Sequence, residues 1–271
     1  MDLRAFKLNP DQVEKGFELL QYQPFLLSDD VQTGVGYSWI YCQEAGYWAG
    51  PNDMKMKREE TPEEVWTHFC DANAKLRAMY DDWIDTMSIT FKKGSVMEVG
   101  CNTGYFLMGL ALKGFGPCNG YDFQNFGPSF DFLNQLLGTQ VSFHQEPYDL
   151  VSRSIRSCQQ HDFVISSAVM QHISDPMGYL TFLSRAAKKG LFLFTGMGDT
   201  DDFLIYQGKP NAYNKDAEFP FCFDLDVGLS RGLLFFALRK LGFKHILELH
   251  HKDSWLPKSW YGSQRALICI K

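Results

Sequence analysis

Two periodicities divide this chain. Between Thr61 and Met87, the apolar residues Val65, Phe69, Ala72, Leu76, Met79, Trp83 and Met87 recur at steps of 4, 3, 4, 3, 4 and 4. That spacing puts them on one face of a long helix, and the stripe reads as core packing. From Ser95 onward, short apolar runs of strand length alternate with helical stretches. Strands are predicted near 96–99, 118–121, 141–144, 162–166 and 191–195, with helices near 103–113, 128–137, 148–157 and 176–188. A helix over 229–240, closed by Gly242, then leads to strands near 244–249 and 265–270. The alternation predicts an α/β fold with a doubly wound, mostly parallel sheet. The last two strands lack a helix between them and are expected to pair antiparallel.

The residues before the long helix carry local punctuation. Asn9-Pro10-Asp11-Gln12 has the form of an N-cap, a proline at the first helical position and a glutamine at N3, so a helix is expected from there to about Leu20. Thr61-Pro62-Glu63-Glu64 repeats the pattern at the start of the striped helix. Residues 21–53 read as a loop rich in glycine and aromatics. The expected organisation is a helical and irregular N-terminal cap over 1–94 and an α/β core over 95–271. A long connection after the fifth core strand, about 197–225, is expected to form a lid at the substrate site.

Composition narrows the partners. With 271 residues, 45% of them hydrophobic, the chain can bury a large core. Its formal charge of −6, with no basic run beyond short clusters such as Lys55 to Arg58, disfavours a large nucleic-acid footprint. Seven scattered cysteines without a Cys-x-x-Cys pair fit reduced thiols in the cytoplasm better than a disulfide framework or a zinc site. The pair His250-His251 has no carboxylate or cysteine at ligand spacing, so no metal is expected. The N-terminus shows no apolar core of a secretory signal, and the longest apolar run, Leu233 to Leu238, is too short to span a bilayer.

The chemistry is expected just after each strand, because ligands of open α/β sheets bind outside the carboxyl ends of the strands. The first strand runs into Glu98-Val99-Gly100-Cys101-Asn102-Thr103-Gly104. Such a strand, glycine turn and helix aim backbone N–H groups and a positive helix end at a ligand. Asn102 stands where a dinucleotide fingerprint has its middle glycine, and the last glycine comes four residues after the first rather than five. Both departures disfavour a pyrophosphate and favour a nucleoside without phosphates. Asp122, 18 residues past Gly104, is placed to accept hydrogen bonds from two ribose hydroxyls. Polar residues after the third strand, with Glu146 among them, are placed to read an adenine edge. After the fourth strand comes Ser166-Ser167-Ala168-Val169-Met170-Gln171-His172.

This ordered set resembles the class I S-adenosylmethionine-dependent methyltransferases, whose first motif has the form Glu/Asp-x-Gly-x-Gly-x-Gly. The resemblance covers roughly 95–200 and implies a Rossmann-like core. It implies S-adenosylmethionine as cofactor and S-adenosylhomocysteine as product. Carried over residue by residue, it implies that Glu98, Gly100, Asn102 and Gly104 surround the amino-acid end of the cofactor. Asp122 would hold the ribose, Phe123 would flank the adenine and Glu146 would border it, and Ser166 and Ser167 would lie near the sulfur. His172 would line the pocket and is the general-base candidate. The departure is Asn102, which still tolerates left-handed backbone. Tyr37, Trp39, Tyr206 and Tyr213, from the aromatic segments before and after the core motifs, are candidates for the acceptor pocket.

The expected activity is methyl transfer to a small-molecule oxygen or nitrogen nucleophile by in-line displacement. Three alternatives stay open. The order Asp-x-x-x-Ser-x-x-Val-x-x-His and the N-terminal extension are similar to the tRNA wobble-uridine carboxymethyltransferase group, against which stand the acidic balance and the missing basic stripe. A cofactor-binding partner subunit without turnover is the second. A nicotinamide dehydrogenase, the third, is disfavoured by the loop spacing. The oligomeric state is not legible in this sequence.

Overall fold

The computed structural model describes residues 1–21, 23–34, 55–210, 225–250 and 263–271, with backbone only at 207–210, 225–226 and 263–264. The chain is an α/β fold whose main sheet has the strand order β11-β12-β8-β7-β4-β5-β6, with β10 beside β8 and β9 beside β10. The strands of this sheet are β4 (Val96–Val99), β5 (Cys118–Asp122), β6 (Val141–Gln145), β7 (His161–Ser167), β8 (Ala187–Gly198), β9 (Ile205–Pro210), β10 (Leu225–Ser230), β11 (His245–Leu249) and β12 (Ser263–Ile270). The chain divides into two compact units: 1–90 with 101–120 and 124–145, and 91–100 with 121–123 and 146–271.

In the first unit, α1 (Pro10–Leu19) starts with the expected capping box: the Asn9 side chain accepts from the Gln12 amide and the Gln12 side chain from the Asn9 amide. The long helix α2 (Glu63–Phe91) buries the striped face, with Phe69, Ala72, Leu76, Met79, Trp83 and Met87 all within 2% of full burial. Only the first stripe residue, Val65, is partly exposed. Each large side chain on that face contributes about 1.5–3 kcal/mol by leaving water. Gly109 of α3 (Tyr105–Leu112) lets the two helices approach closely, since a Cβ there would lie 2.6 Å from Ile84 Cδ1. The rings of Tyr80, Trp83, Tyr105 and Phe106 pack together beside this contact. Helix α4 (Gly127–Leu137) ends on Gly138 in left-handed backbone. Residues 21–53 are not all loop. Strand β2 (Val31–Thr33) pairs antiparallel with both β1 (Leu26–Ser28) and β3 (Lys55–Lys57) in a small three-stranded sheet. Three-residue strands are too short to show a period of two, so this sheet leaves no sequence signal.

In the second unit, β4, β7 and β8 run parallel, β12 pairs antiparallel with β8, and β11 and β12 pair antiparallel, as the missing connecting helix predicted. Helix α5 (Pro176–Ala186) is capped by the Asp175 carboxylate on the Gly178 amide, and α6 (Arg231–Lys240) by the Ser230 hydroxyl on the Leu233 amide. The core of this unit gathers Met97, Val164, Leu191 and Leu193 of the sheet with Tyr179, Leu183, Leu234 and Leu238 of the helices. Two expectations need correction. Residues 148–157 form no helix. Asp149 instead accepts from the Val151 and Ser152 amides, both at 2.7 Å, and pairs with Ser154 in an isolated bridge. An Asp side chain that bonds the amides two and three residues on offers the backbone a turn in place of helix. The strand expected over 191–195 also extends from 187 to 198, and the segment after it is partly sheet: β9 and β10 pair antiparallel, and β10 pairs parallel with β8.

Candidate functional site

The first group of candidate residues lies in the second unit, at the carboxyl ends of β4, β5 and β7. Glu98 of β4 is fully buried and pairs in register with Ile165 of β7. Gly100 follows β4 with φ +70° and donates its N–H to the Tyr121 carbonyl at 2.8 Å, which ties the turn to the end of β5. A Cβ at Gly100 would stand 2.2 Å from Val169 Cγ2. Glycine is thus required twice, by the left-handed backbone and by the close approach of Val169. Val169 is aimed there by a sharp turn after β7. Ala168 takes φ +57° and its amide donates to the Phe194 carbonyl at 2.8 Å. A short 3₁₀ turn, Met170–His172, follows, and half-buried His172 ends it with its amide on the Val169 carbonyl at 2.8 Å.

Asp122 closes β5 and is 7% exposed, and Phe123 beside it is 39% exposed. The other polar candidates are partly engaged within the protein. The Glu146 carboxylate accepts from the Ser157 amide at 2.9 Å, so it holds the turn that replaces the expected helix. The Ser166 and Tyr179 hydroxyls bond at 2.9 Å, both fully buried, and burial pushes the Tyr179 phenol far up from its ordinary value near 10. Ser167, one residue on, is half-buried at the last position of β7. At the end of β8, Gly198 makes room for Tyr206 of β9: a Cβ there would lie 2.4 Å from the Tyr206 ring. The candidates Tyr37, Trp39 and Tyr213 lie outside the described residues.

The rest of the glycine turn belongs to the first unit. Asn102 has φ +48°, the left-handed geometry expected of it, and its side chain accepts from the Thr103 amide at 2.7 Å. Gly104 has φ +87° and caps α3, and a Cβ there would lie 2.7 Å from Phe130 Cζ. A residue that carried no sequence signal holds this turn. Buried Gln23 accepts from the Thr103 hydroxyl at 2.7 Å and from the Tyr105 amide at 3.0 Å, and donates to the Cys101 carbonyl at 3.5 Å. A separate cavity of about 360 Å³ lies on the outer flank of α6, lined by Asp201, Phe203, Arg231, Phe235, Phe236 and Arg239 among others; none of the sequence candidates lines it. Among the described residues, no group of His, Cys, Asp and Glu side chains could hold a metal ion.

Residues 72–249, about two thirds of the chain, match a family model described as a methyltransferase domain. The chain belongs to the class I S-adenosylmethionine-dependent methyltransferases. Its cofactor is S-adenosylmethionine, as the resemblance implied. The chain is 29% identical over 186 residues to a tRNA U34 carboxymethyltransferase of Alteromonas mediterranea, a match spanning 64% of this chain and 53% of that protein. It is 30% identical over 117 residues to the Helicobacter hepaticus protein of the same name, spanning 41% of this chain and 35% of that one. The chain therefore spans about a third to a half of the length of these curated relatives. Among solved structures, the N-terminal domain of EvdMO1 with S-adenosylhomocysteine bound superposes with a TM-score of 0.56 at 16% identity, covering 70% of this chain and 80% of that one. An O-methyltransferase family protein of Burkholderia thailandensis gives 0.51 at 13% identity, covering 79% and 61%. At such identities the likeness concerns the fold. Among the described residues, no helix is long and apolar enough to cross a membrane.

Proposed function

We propose that this methyltransferase acts on a small-molecule oxygen or nitrogen nucleophile in the cytoplasm. The observation that carries the cofactor half of the reading is Asp122, nearly buried at the carboxyl end of β5 beside the exposed Phe123 ring. None of the sequence-marked residues is a lysine or arginine, which suits a nucleoside without phosphates. Asp122 would accept from the ribose hydroxyls and Phe123 would lie on the adenine. The glycine turn, with Glu98, Gly100, Asn102 and Gly104, would surround the amino-acid end. Ser167 and the backbone after β7 would border the sulfur, with Ser166 beneath them, and Glu146 would border the adenine.

S-adenosylmethionine, when bound, would supply an electrophilic methyl group on its sulfonium, with the thioether S-adenosylhomocysteine as leaving group. The protein's part is alignment, worth several kcal/mol when reacting atoms are held in near-attack geometry. A protonated acceptor also needs a base, and His172, at the end of the turn after β7, is the candidate. Support for the acceptor pocket comes from Tyr206, whose ring lies against Gly198 at the end of β8. Tyr37, Trp39 and Tyr213 are proposed to complete the pocket. The compartment rests on the sequence pattern of seven scattered cysteines without a Cys-x-x-Cys pair.

The second reading, action on a tRNA wobble uridine, is favoured by the names of the two curated relatives. Calorimetric titration of S-adenosylmethionine, S-adenosylhomocysteine and NAD, with Asp122→Ala as control, tests the cofactor site. Binding of the first two, marked loss in the variant and no binding of NAD are expected, and NAD binding alone would defeat the reading. A gel shift with unfractionated tRNA at 50 and 200 mM salt separates the acceptor classes. The small-molecule reading expects no shift, and a tight shift that weakens steeply with salt would replace it by the tRNA reading.

A further inference from the structure

We propose that Gln23 is a positioning residue for the cofactor, setting the backbone of the glycine turn from a segment nearly 80 residues away in sequence; this rests on the reading that the turn holds S-adenosylmethionine. One side-chain amide serves three successive points of the turn. Gln23 Oε1 accepts from the Thr103 hydroxyl at 2.7 Å and from the Tyr105 amide at 3.0 Å, and Nε2 donates to the Cys101 carbonyl at 3.5 Å. Both donors are fully buried, as is the Cys101 side chain. The Tyr105 amide opens α3 and has no carbonyl one turn earlier within the helix to bond. Gln23 therefore takes the place of a side-chain cap, which Gly104 cannot supply.

Gln23 is itself held rigidly. The Thr33 hydroxyl donates to its carbonyl at 3.0 Å, and the Phe25 amide donates to the same carbonyl at 2.9 Å. Gly34, with φ +114°, lets β2 approach so closely that a Cβ there would stand 2.4 Å from Pro24 Cα. The Thr103 hydroxyl also reaches the Gln21 carbonyl at 3.4 Å. A turn with three left-handed residues in five, Gly100, Asn102 and Gly104, has several alternative shapes open to it. Fixing three of its points from outside selects one, so the binding geometry exists before the cofactor arrives.

The test uses the full chain and S-adenosylhomocysteine as probe. Gln23→Met keeps the shape and removes every hydrogen bond, and Gln23→Glu keeps both acceptor contacts. Asn9→Ala removes the cap of α1 and lowers stability without reaching the turn. Calorimetry is expected to give roughly tenfold weaker binding for Q23M, the equivalent of about 1.4 kcal/mol. Binding between that of wild type and that of Q23M is expected for Q23E, whose second carboxylate oxygen faces the Cys101 carbonyl where a donor stood, and no change for N9A. Hydrogen exchange without ligand is expected to show the Tyr105 amide deprotected in Q23M and protected in Q23E. If Q23M does not fold, Thr103→Val removes one of the bonds from the other side and is expected to weaken binding about threefold. Wild-type affinity in Q23M, or an equal loss in N9A, would overturn the proposal. A wild-type protein that does not bind S-adenosylhomocysteine would instead remove the cofactor reading, while the exchange of Tyr105 would still report whether Gln23 holds the turn.

Discussion

Replacing Gly100 with alanine probes the turn at its tightest point. At φ +70° an alanine gives up about 1 kcal/mol relative to glycine, because its Cβ crowds the following carbonyl. The new Cβ would also stand 2.2 Å from Val169 Cγ2, a separation that non-bonded carbons do not adopt, so Val169 or the turn has to move. Overpacking of this kind costs about 1–3 kcal/mol. The single variant should therefore lose about 2–4 kcal/mol, and its affinity for S-adenosylhomocysteine should fall as the turn shifts. Val169→Ala removes the obstructing methyl groups. In the double variant only the backbone penalty and the lost valine packing remain, so it should be more stable than the two single losses predict, by about 1–3 kcal/mol. Urea unfolding of the four proteins, followed by circular dichroism, gives the cycle from midpoints at unchanged slope. Losses that add to within about 0.5 kcal/mol would refute the contact between Gly100 and Val169.

Tyr179→Phe leaves the buried Ser166 hydroxyl without its phenol partner and should cost about 1–3 kcal/mol, whereas Ser166→Ala/Tyr179→Phe should cost less than the two singles together; strict additivity in thermal melts would count against the pair. Burial pushes the Tyr148 phenol up from about 10 to about 12, so the stability tied to its neutral form is complete below pH 10 and fades as pH rises from 10 to 12. Tyr148→Phe should flatten that alkaline decline, and an unchanged decline would show that other groups cause it. The hydrogen bond and charge of Lys189 and the Ser95 amide hold the Asp162 carboxyl below its ordinary value near 3.8, so its stabilisation is present above pH 4 and is lost as pH falls further. Asp162→Asn should cost about 1 kcal/mol at pH 7 and less as pH falls below 4, and a cost that does not change with pH would exclude the ionic contribution.

What the chain announced by itself was local. The stripe from Phe69 to Met87 is spaced by the helix repeat, and burial follows from the spacing. The Asn9 capping box, the glycine turn after β4 and the aspartate closing β5 each need only neighbours in sequence, so these local elements and the fold class were legible. Where a local signal competed with another, it failed: the stretch 148–157 had helical spacing, but Asp149 drew its own amides into a turn. Only the tertiary structure decided which partners meet. Nothing in the sequence says that Val169 crosses Gly100, that Ser166 spends its hydroxyl on Tyr179, or that Gln23 holds Cys101, Thr103 and Tyr105. Periodicity reports which face of an element is apolar, because that depends on residues three or four apart. The identity of a long-range contact depends on how separate elements pack, and a lone glutamine in an aperiodic segment has no pattern through which to declare it.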